Sequence, residues 1–246
     1  MFDHPIAVLS DIHGNSLALK AVIQDIRNRG IETILNLGDS LYGPLDPIGT
    51  AQLLMKNNIP SVKGNEDRLL LETHEDNPTL EFVLGNLRSE HLSWIENLPR
   101  TYEFNDFYLC HGSPEKDTKY LIEEVQEEGV FVKEPYKLLR DVRSIKQQLI
   151  LCGHSHIPHI IYLINGKYLI NPGSVGLPAY KDDIPYPHIM EAGSPHARYC
   201  VITKQNTNWG FETIAVPYNW EEAALMALKK GRTDWATWLR TGRAFL

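Results

Sequence analysis

Five short stretches of the chain hold side chains suited to divalent cations: Asp11-Ile12-His13, Gly38-Asp39, Gly64-Asn65, His111 and Gly153-His154-Ser155-His156. Together they offer two carboxylates, one amide and four imidazoles, with no thiolate. That donor mix suits manganese, iron or zinc. Two ions held about 3.5–4 Å apart need a carboxylate between them, and Asp39, alone after its strand between the other ligand pairs, is the natural bridge. The Asp-x-His and His-x-His spacings place both side chains on one side of an extended segment. The glycines before Asp39, Asn65 and His154 let the backbone bend sharply. Taken singly, most of these residues are ordinary. Asp11 reads as a turn or cap, Gly38-Asp39 and Gly64-Asn65 as turn dipeptides, and His111 as a satisfied, partly buried histidine. The signal is that each follows a strand.

Those strands are short apolar runs. Ile6–Leu9 leads to Asp11, Thr33–Leu37 to Asp39, a weaker run Ser61-Val62-Lys63 to Asn65, Phe107–Cys110 to His111, and Leu149–Cys152 to His154. Unbroken apolar runs of this length indicate buried strands. Between the first two lies a helix capped by Asn15 or Ser16, with Leu19, Val22, Ile23 and Ile26 on one face and Gly30 at its end. Helices are expected again near Asp46–Lys56 and over 78–97. If the strands share a sheet with crossover helices, their carboxyl ends lie along one edge, where ligands bind. Beyond residue 156, Ile160–Ile164, Asn165-Gly166 and Lys167–Ile170 indicate a hairpin with a two-residue Asn-Gly turn. Residues 198–204 and 210–216 form a further strand pair. Asn219 caps a helix with Glu221 and Glu222 in its first turn, Lys229 and Lys230 in its last, and Gly231 after it. The pattern is that of a layered α/β protein, with one unit over 1–246, C-terminal helices over 219–246 and no linker that splits it. Residues 178–197, with four prolines, His188 and His196, read as a solvated loop; the alternative is a lid whose histidines reach the substrate.

Composition narrows the partners. The 246 residues carry 24 Lys+Arg against 31 Asp+Glu, a formal net charge of −7, so a broad duplex nucleic-acid footprint is not expected. No apolar run approaches the roughly 20 residues of a membrane span, and the N-terminus lacks a basic-then-apolar leader. Cys110, Cys152 and Cys200, an odd set in apolar surroundings, read as buried thiols of a reducing cytoplasm. The expected partner is a small phosphate ester, with neither long duplex nucleic acid nor membrane. Two divalent ions would leave the pocket locally positive within an acidic protein.

In order along the chain, Asp11-Ile12-His13-Gly14-Asn15, Gly38-Asp39 with Gly43, Gly64-Asn65-Glu66-Asp67, His111-Gly112 and Gly153-His154-Ser155-His156 resemble the motifs of the calcineurin-like metallophosphoesterase superfamily. Ile170 to Gly176 resembles the closing strand-loop of its small prokaryotic phosphodiesterase-type branch. The resemblance implies an α/β fold built as a two-sheet β-sandwich flanked by helices in four layers, with a dimetal site at the carboxyl ends of strands. It also implies two divalent ions (Mn, Fe, Zn, Ni or Co), one held by Asp11, His13, Asp39 and His156, the other by Asp39, Asn65, His111 and His154. Asp39, Asn65 and His111 then belong to the catalytic group, and Asn15 and Arg68 are candidates for phosphate contacts.

The sequence departs from this family twice. Glu66 stands where the family often has a histidine able to protonate the leaving group. A carboxyl there needs a raised pKa to serve, whereas cations lower it; the alternative is a first-turn helix carboxylate. His188 is the other candidate acid. Ser40-Leu41-Tyr42-Gly43 replaces the Asp-Arg-Gly of protein phosphatases. The expected reaction is in-line attack on a small phosphodiester by a metal-bridging hydroxide. Alternatives are a phosphomonoesterase, a symmetrical dinucleoside polyphosphate hydrolase, or a catalytically weak metal-binding scaffold.

Overall fold

A computed structural model describes residues 4–72 and 77–245; Met1 to Asp3, read above for a leader, lie outside the described residues. Two sheets carry the fold. One has four strands: β1 (Ile6–Leu9), β2 (Thr33–Asn36), and the long antiparallel pair β12 (Ala197–Gln205) and β13 (Asn208–Val216), in the order β13-β12-β1-β2. The other has five: β3 (Thr101–Phe104), β4 (Phe107–Cys110), β7 (Leu149–Leu151), β8 (His159–Tyr162) and β9 (Tyr168–Asn171), in the order β3-β4-β7-β9-β8. Two hairpins stand apart, β5 (Glu123–Gln126) with β6 (Gly129–Val132), and β10 (Ala179–Asp182) with β11 (His188–Glu191).

The packing explains why the strand sequences do not alternate. Ile6 and Val8 face the second sheet, meeting Phe107, Leu109, Leu149, Leu151 and Ile170 between the two layers. Ala7 and Leu9 face the other way, onto Leu19, Val22, Ile23 and Ile26 of α1 (Ser16–Asn28). The second sheet repeats the arrangement. Tyr108, Cys110, Ile150 and Cys152 pack on Leu138 and Val142, around α6 (Pro135–Asp141). The result is the helix–sheet–sheet–helix layering that the family resemblance implies; the single sheet shared by all the strands, expected from the strand runs alone, does not form, because β1 and β2 lie in one sheet and β4 and β7 in the other. β1, β4 and β7 are covered on both faces, and a fully buried Leu or Ile there contributes about 1.5–3 kcal/mol. The three cysteines are buried and free. No helix among the described residues is long and apolar enough to cross a membrane.

Several local expectations change. Ser61-Val62-Lys63 makes only a single parallel bridge, Asn36 to Ser61, because the Lys63 N–H turns away to Pro99 O at 2.8 Å. The helix expected over 78–97 is two, α4 (Pro78–Asn86) and α5 (Ser89–Glu96). Leu87 between them is extended, and the His91 ring accepts the Arg88 N–H to start the second. The hairpin turn is a three-residue loop, Ile164-Asn165-Gly166. The Leu163 N–H reaches Lys167 O, the Gly166 N–H reaches Leu163 O, and Gly166 takes φ 82°, the bulge form of this connection.

Residues 178–197 are not a solvated loop: β10 and β11 pair within them, and Ala179 and Met190 are buried. At the C-terminus, α7 (Trp220–Lys229), capped by Asn219, packs against α8 (Thr233–Thr241), which in turn packs onto β10. The helices α2 (Pro47–Lys56) and α3 (Asn65–Leu69) complete the structure.

Candidate metal centre

Strands β1 and β2 run parallel in one sheet, and β4 and β7 run parallel in the other. Their carboxyl ends meet at the shared edge. Backbone hydrogen bonds then tie the loops that follow into one unit. The N–H groups of Ile12 and His13 both reach Asp39 O, Asp11 N–H reaches Gly38 O, and Gly153 N–H reaches His111 O. Asp67, to which no role was given from sequence, joins two loops: one carboxylate oxygen accepts Ser40 N–H and the other Gly64 N–H. Burial and the nearby Asp39 charge lift this carboxyl to about 6.

The side chains do not converge as residues of extended segments. Asp11, His13, Asp39, His154 and His156 all have positive φ, between 51° and 68°. This left-handed region is uncommon for residues with a Cβ, costs energy, and concentrates at functional sites. Nor are the glycines bends in the expected way, since of Gly38, Gly64 and Gly153 only Gly38 has positive φ. Gly64 and Gly153 serve close approach instead: a Cβ on Gly64 would overlap Asp39 Oδ1, and one on Gly153 would overlap Ser10 Oγ.

The ligand atoms of Asp11, His13 and His156 lie within 4.8 Å of one another, and those of Asp39, His111 and His154 do likewise. Asp39 also groups with His13 and Glu66, which places it between the two clusters. Asn65 lines the same cavity, and its buried Oδ1 has no hydrogen-bond partner.

Three imidazoles are oriented identically. The Nδ1–H of His13 donates to Tyr42 O (3.2 Å), that of His111 to Leu37 O (2.9 Å) and that of His156 to Leu177 O (2.7 Å). A carbonyl on Nδ1 fixes the tautomer and turns Nε2 inward as a lone-pair donor, the usual support for a metal-binding histidine. His111 Nε2 sits 3.0 Å from Asp39 Oδ2 yet is not aligned for a hydrogen bond, and Asp11 Oδ1 is likewise buried without one. Orphaned donor atoms, fixed tautomers and a thiolate-free set all fit a divalent cation bound here.

Burial alone would raise the Asp11 and Asp39 carboxyls, but His156 beside the first and His111 beside the second hold both below their ordinary range. Burial works against charge on His111, yet Asp39 and Asp11 lift its imidazole to about 10; His13, facing Glu66, Asp39 and Asp11, rises to about 9. His154, buried beside the cationic His111, falls to about 4.

The sequence offers Glu66 as a first-turn helix carboxylate or an acid. It lies in the first turn of α3, and its Oε2 lies 2.9 Å from His13 Nδ1. Burial raises its carboxyl despite the neighbouring His13. Asn15 is engaged within the fold: its oxygen caps α1 through Ala18 N–H, and its amide donates to Gly176 O and Tyr218 Oη. Arg68 is committed to Asp117 and Glu72 and does not line the cavity. His188, the first residue of β11, is buried and bonded to Tyr120 Oη and Tyr186 O, and His196 bonds Ser194; neither lines the cavity. The chain Tyr120–Tyr180 instead ends on His154 O.

The cavity beside the cluster measures about 230 Å³. Its far wall, missed in the sequence, comes from Tyr180, Lys181, Arg232, Trp235 and Trp238. Only an aromatic i, i+3 pair in a C-terminal helix signalled it, and that pattern reads as core.

Fold and site together define a calcineurin-like phosphoesterase. The model of the calcineurin-like phosphoesterase superfamily domain matches residues 5–191, and the chain belongs to that superfamily. It is 29% identical over 257 residues to an uncharacterized protein of Methanocaldococcus jannaschii, covering 94% of each chain. Its structure is similar to that of a metallophosphoesterase from Sphaerobacter thermophilus, with a TM-score of 0.76 at 22% identity, covering 97% of this chain and 100% of that one. It is also similar to a hypothetical protein of Pyrococcus horikoshii, with a TM-score of 0.73 at 19% identity, covering 98% and 99%. At those identities the two structures establish the shared fold.

Proposed function

We propose that the protein is a metal-dependent hydrolase of small phosphodiesters that uses two divalent ions. The observation that carries this reading is the pair of ligand clusters, Asp11/His13/His156 and Asp39/His111/His154, with Asp39 between them at the wall of one cavity. Ions bound there would supply Lewis-acid activation of water and neutralise charge on phosphoryl oxygens. Asp11, His13, Asp39 and His156 would hold one ion; Asp39, Asn65, His111 and His154 the other.

The remaining groups orient these. Tyr42 O, Leu37 O and Leu177 O keep three imidazoles in the Nδ1–H tautomer. Glu66 backs His13, and its own N–H donates to Asp39 Oδ1 at 2.8 Å, which fixes that carboxylate. With Glu66 held against His13, esters with good leaving groups are expected to react best. A panel of aryl mono- and diesters, cyclic nucleotides and dinucleotides, assayed with Mn²⁺, tests the proposal. The expected result is preference for diesters; exclusive turnover of monoesters or of dinucleoside polyphosphates would overturn it.

A further inference from the structure

One buried carboxylate takes no part in the centre described above. Glu123, the first residue of β5, is 4% exposed and lies outside the cavity beside the ligand cluster. Its Oε1 accepts the Ser155 hydroxyl at 2.7 Å, and His159 Nε2 lies 3.3 Å from the same oxygen. A hydroxyl donated to a carboxylate is among the stronger hydrogen bonds, and burial away from water strengthens it further. The Ser155 oxygen in turn accepts from the Asn171 amide at 3.0 Å, and that amide also donates to Gly153 O at 2.9 Å. Ser155 is thus held from β5 on one side and from the last residue of β9 on the other.

The serine stands between two ligand residues. His154 and His156 both have left-handed backbone, with φ 68° and 61°. That conformation costs energy for residues with a Cβ and persists only where the surroundings enforce it. The two rings serve different clusters: His156 groups with Asp11 and His13, and His154 with Asp39 and His111. The hairpin that carries Glu123 belongs to neither large sheet, yet it is fastened at its base. Lys133, just after β6, donates through Nζ to Tyr120 O and Leu121 O and pairs with Asp141 of α6 at 3.2 Å. A fixed carboxylate therefore grips the one side chain of the 154–156 turn that is not a candidate ligand.

We propose that Glu123 is a positioning residue for the metal centre. Through Ser155 it enforces the strained turn that presents His154 to one ion and His156 to the other. This rests on the two-ion reading above. One carboxylate outside the donor set then governs both ions together.

The test is calorimetric titration of chelator-stripped protein with Mn²⁺, beside thermal unfolding of each metal-free variant. The wild type is expected to bind two ions. Glu123→Ala and Ser155→Ala should each weaken both binding steps by at least about tenfold, the lower end of the effect usual for partners that orient ligands. Because both remove the same link, the double variant should lose no more than about threefold beyond the worse single one. Glu123→Gln keeps an acceptor for the hydroxyl and should stay within about threefold of the wild type. Glu124→Gln, at the next position and paired with Lys137 at 2.6 Å, should leave both steps unchanged.

A merely structural Glu123 would lower the unfolding temperature and leave the Mn²⁺ affinity of the folded protein intact. That result overturns the proposal, as does weakening of one ion alone, or a loss in Glu123→Gln equal to that in Glu123→Ala. If Glu123→Ala does not fold, Ser155→Ala, which removes a single oxygen, decides by the same criteria. A wild type that binds fewer than two ions overturns the two-ion reading itself. Two ions bound equally well by every variant overturn only the role of Glu123.

Discussion

The Nε2 atoms of His13 and His156 face each other at 3.0 Å, although 143 positions separate the two residues in the chain. Each Nδ1 is tied to a backbone carbonyl, so both inward nitrogens are lone-pair donors unless a proton lies between them. His13, lifted to about 9 by its carboxylate neighbours, supplies that proton at neutral pH. A divalent cation would take the proton's place, with Asp11 Oδ1 3.4 Å from His156 Nε2.

Gly64→Ala tests how closely the Asp39 loop must approach. The added methyl would overlap the Asp39 carboxylate, and overpacking of this kind costs about 1–3 kcal/mol. Thermal denaturation should show that loss, and Mn²⁺ titration should show weaker binding. Unchanged metal affinity would remove Asp39 from the ligand set.

Arg68→Met separates a structural arginine from a substrate contact. Burial opposes ionisation of Asp117, but Arg68 outweighs it and holds that carboxyl below its usual range. A depressed carboxyl contributes stability above its unfolded value, near 3.8, and loses it as pH falls through the folded value. Removing Arg68 should therefore move acid unfolding to higher pH and leave KM within about twofold, the small effect usual for changes distant from substrate. A tenfold rise in KM would restore Arg68 as a phosphate contact.

Much of the centre was legible because strand ends show in the sequence. Apolar runs followed by Asp, Asn or His mark both the strands and the donors. The two-sheet layering came with the family resemblance, because strands buried on both faces, as β1 is with Ile6/Val8 and Ala7/Leu9 turned to different layers, equally suit one open sheet. Hidden from sequence was anything decided by backbone handedness or long-range packing. The left-handed φ of Asp11 and His13 replaces the extended geometry that their spacing suggested. Asn15 and Arg68 carry polar groups suited to phosphate, but their capping and ion-pair partners come from tertiary contacts. Residues 178–197 concealed a hairpin because prolines and polar residues occupy its exposed turn, while its buried face follows from packing against α8.

Glu66→Gln probes the missing acid. General acids contribute about 10²–10⁴-fold, felt mostly with poor leaving groups. The variant is expected to lower the rates of 4-nitrophenyl and alkyl diesters by a similar factor, through His13. A loss confined to alkyl esters would make Glu66 the proton donor.

His188→Leu addresses the buried hairpin histidine. It removes the bond to Tyr120 Oη (3.0 Å), so a loss of about 1–3 kcal/mol in unfolding free energy is expected. The shape of the kcat pH profile should not change; disappearance of its basic limb would assign His188 a proton-transfer role.

The most direct measurement is metal-dependent hydrolysis of bis(4-nitrophenyl) phosphate by chelator-stripped protein, for the wild type beside Asp39→Ala and His154→Ala. Wild-type activity should return on adding Mn²⁺, and both variants should stay at least about 10²-fold below it, as expected when donors to transition-state charge are lost. Full metal-dependent activity in either variant would contradict the two-ion phosphodiesterase account.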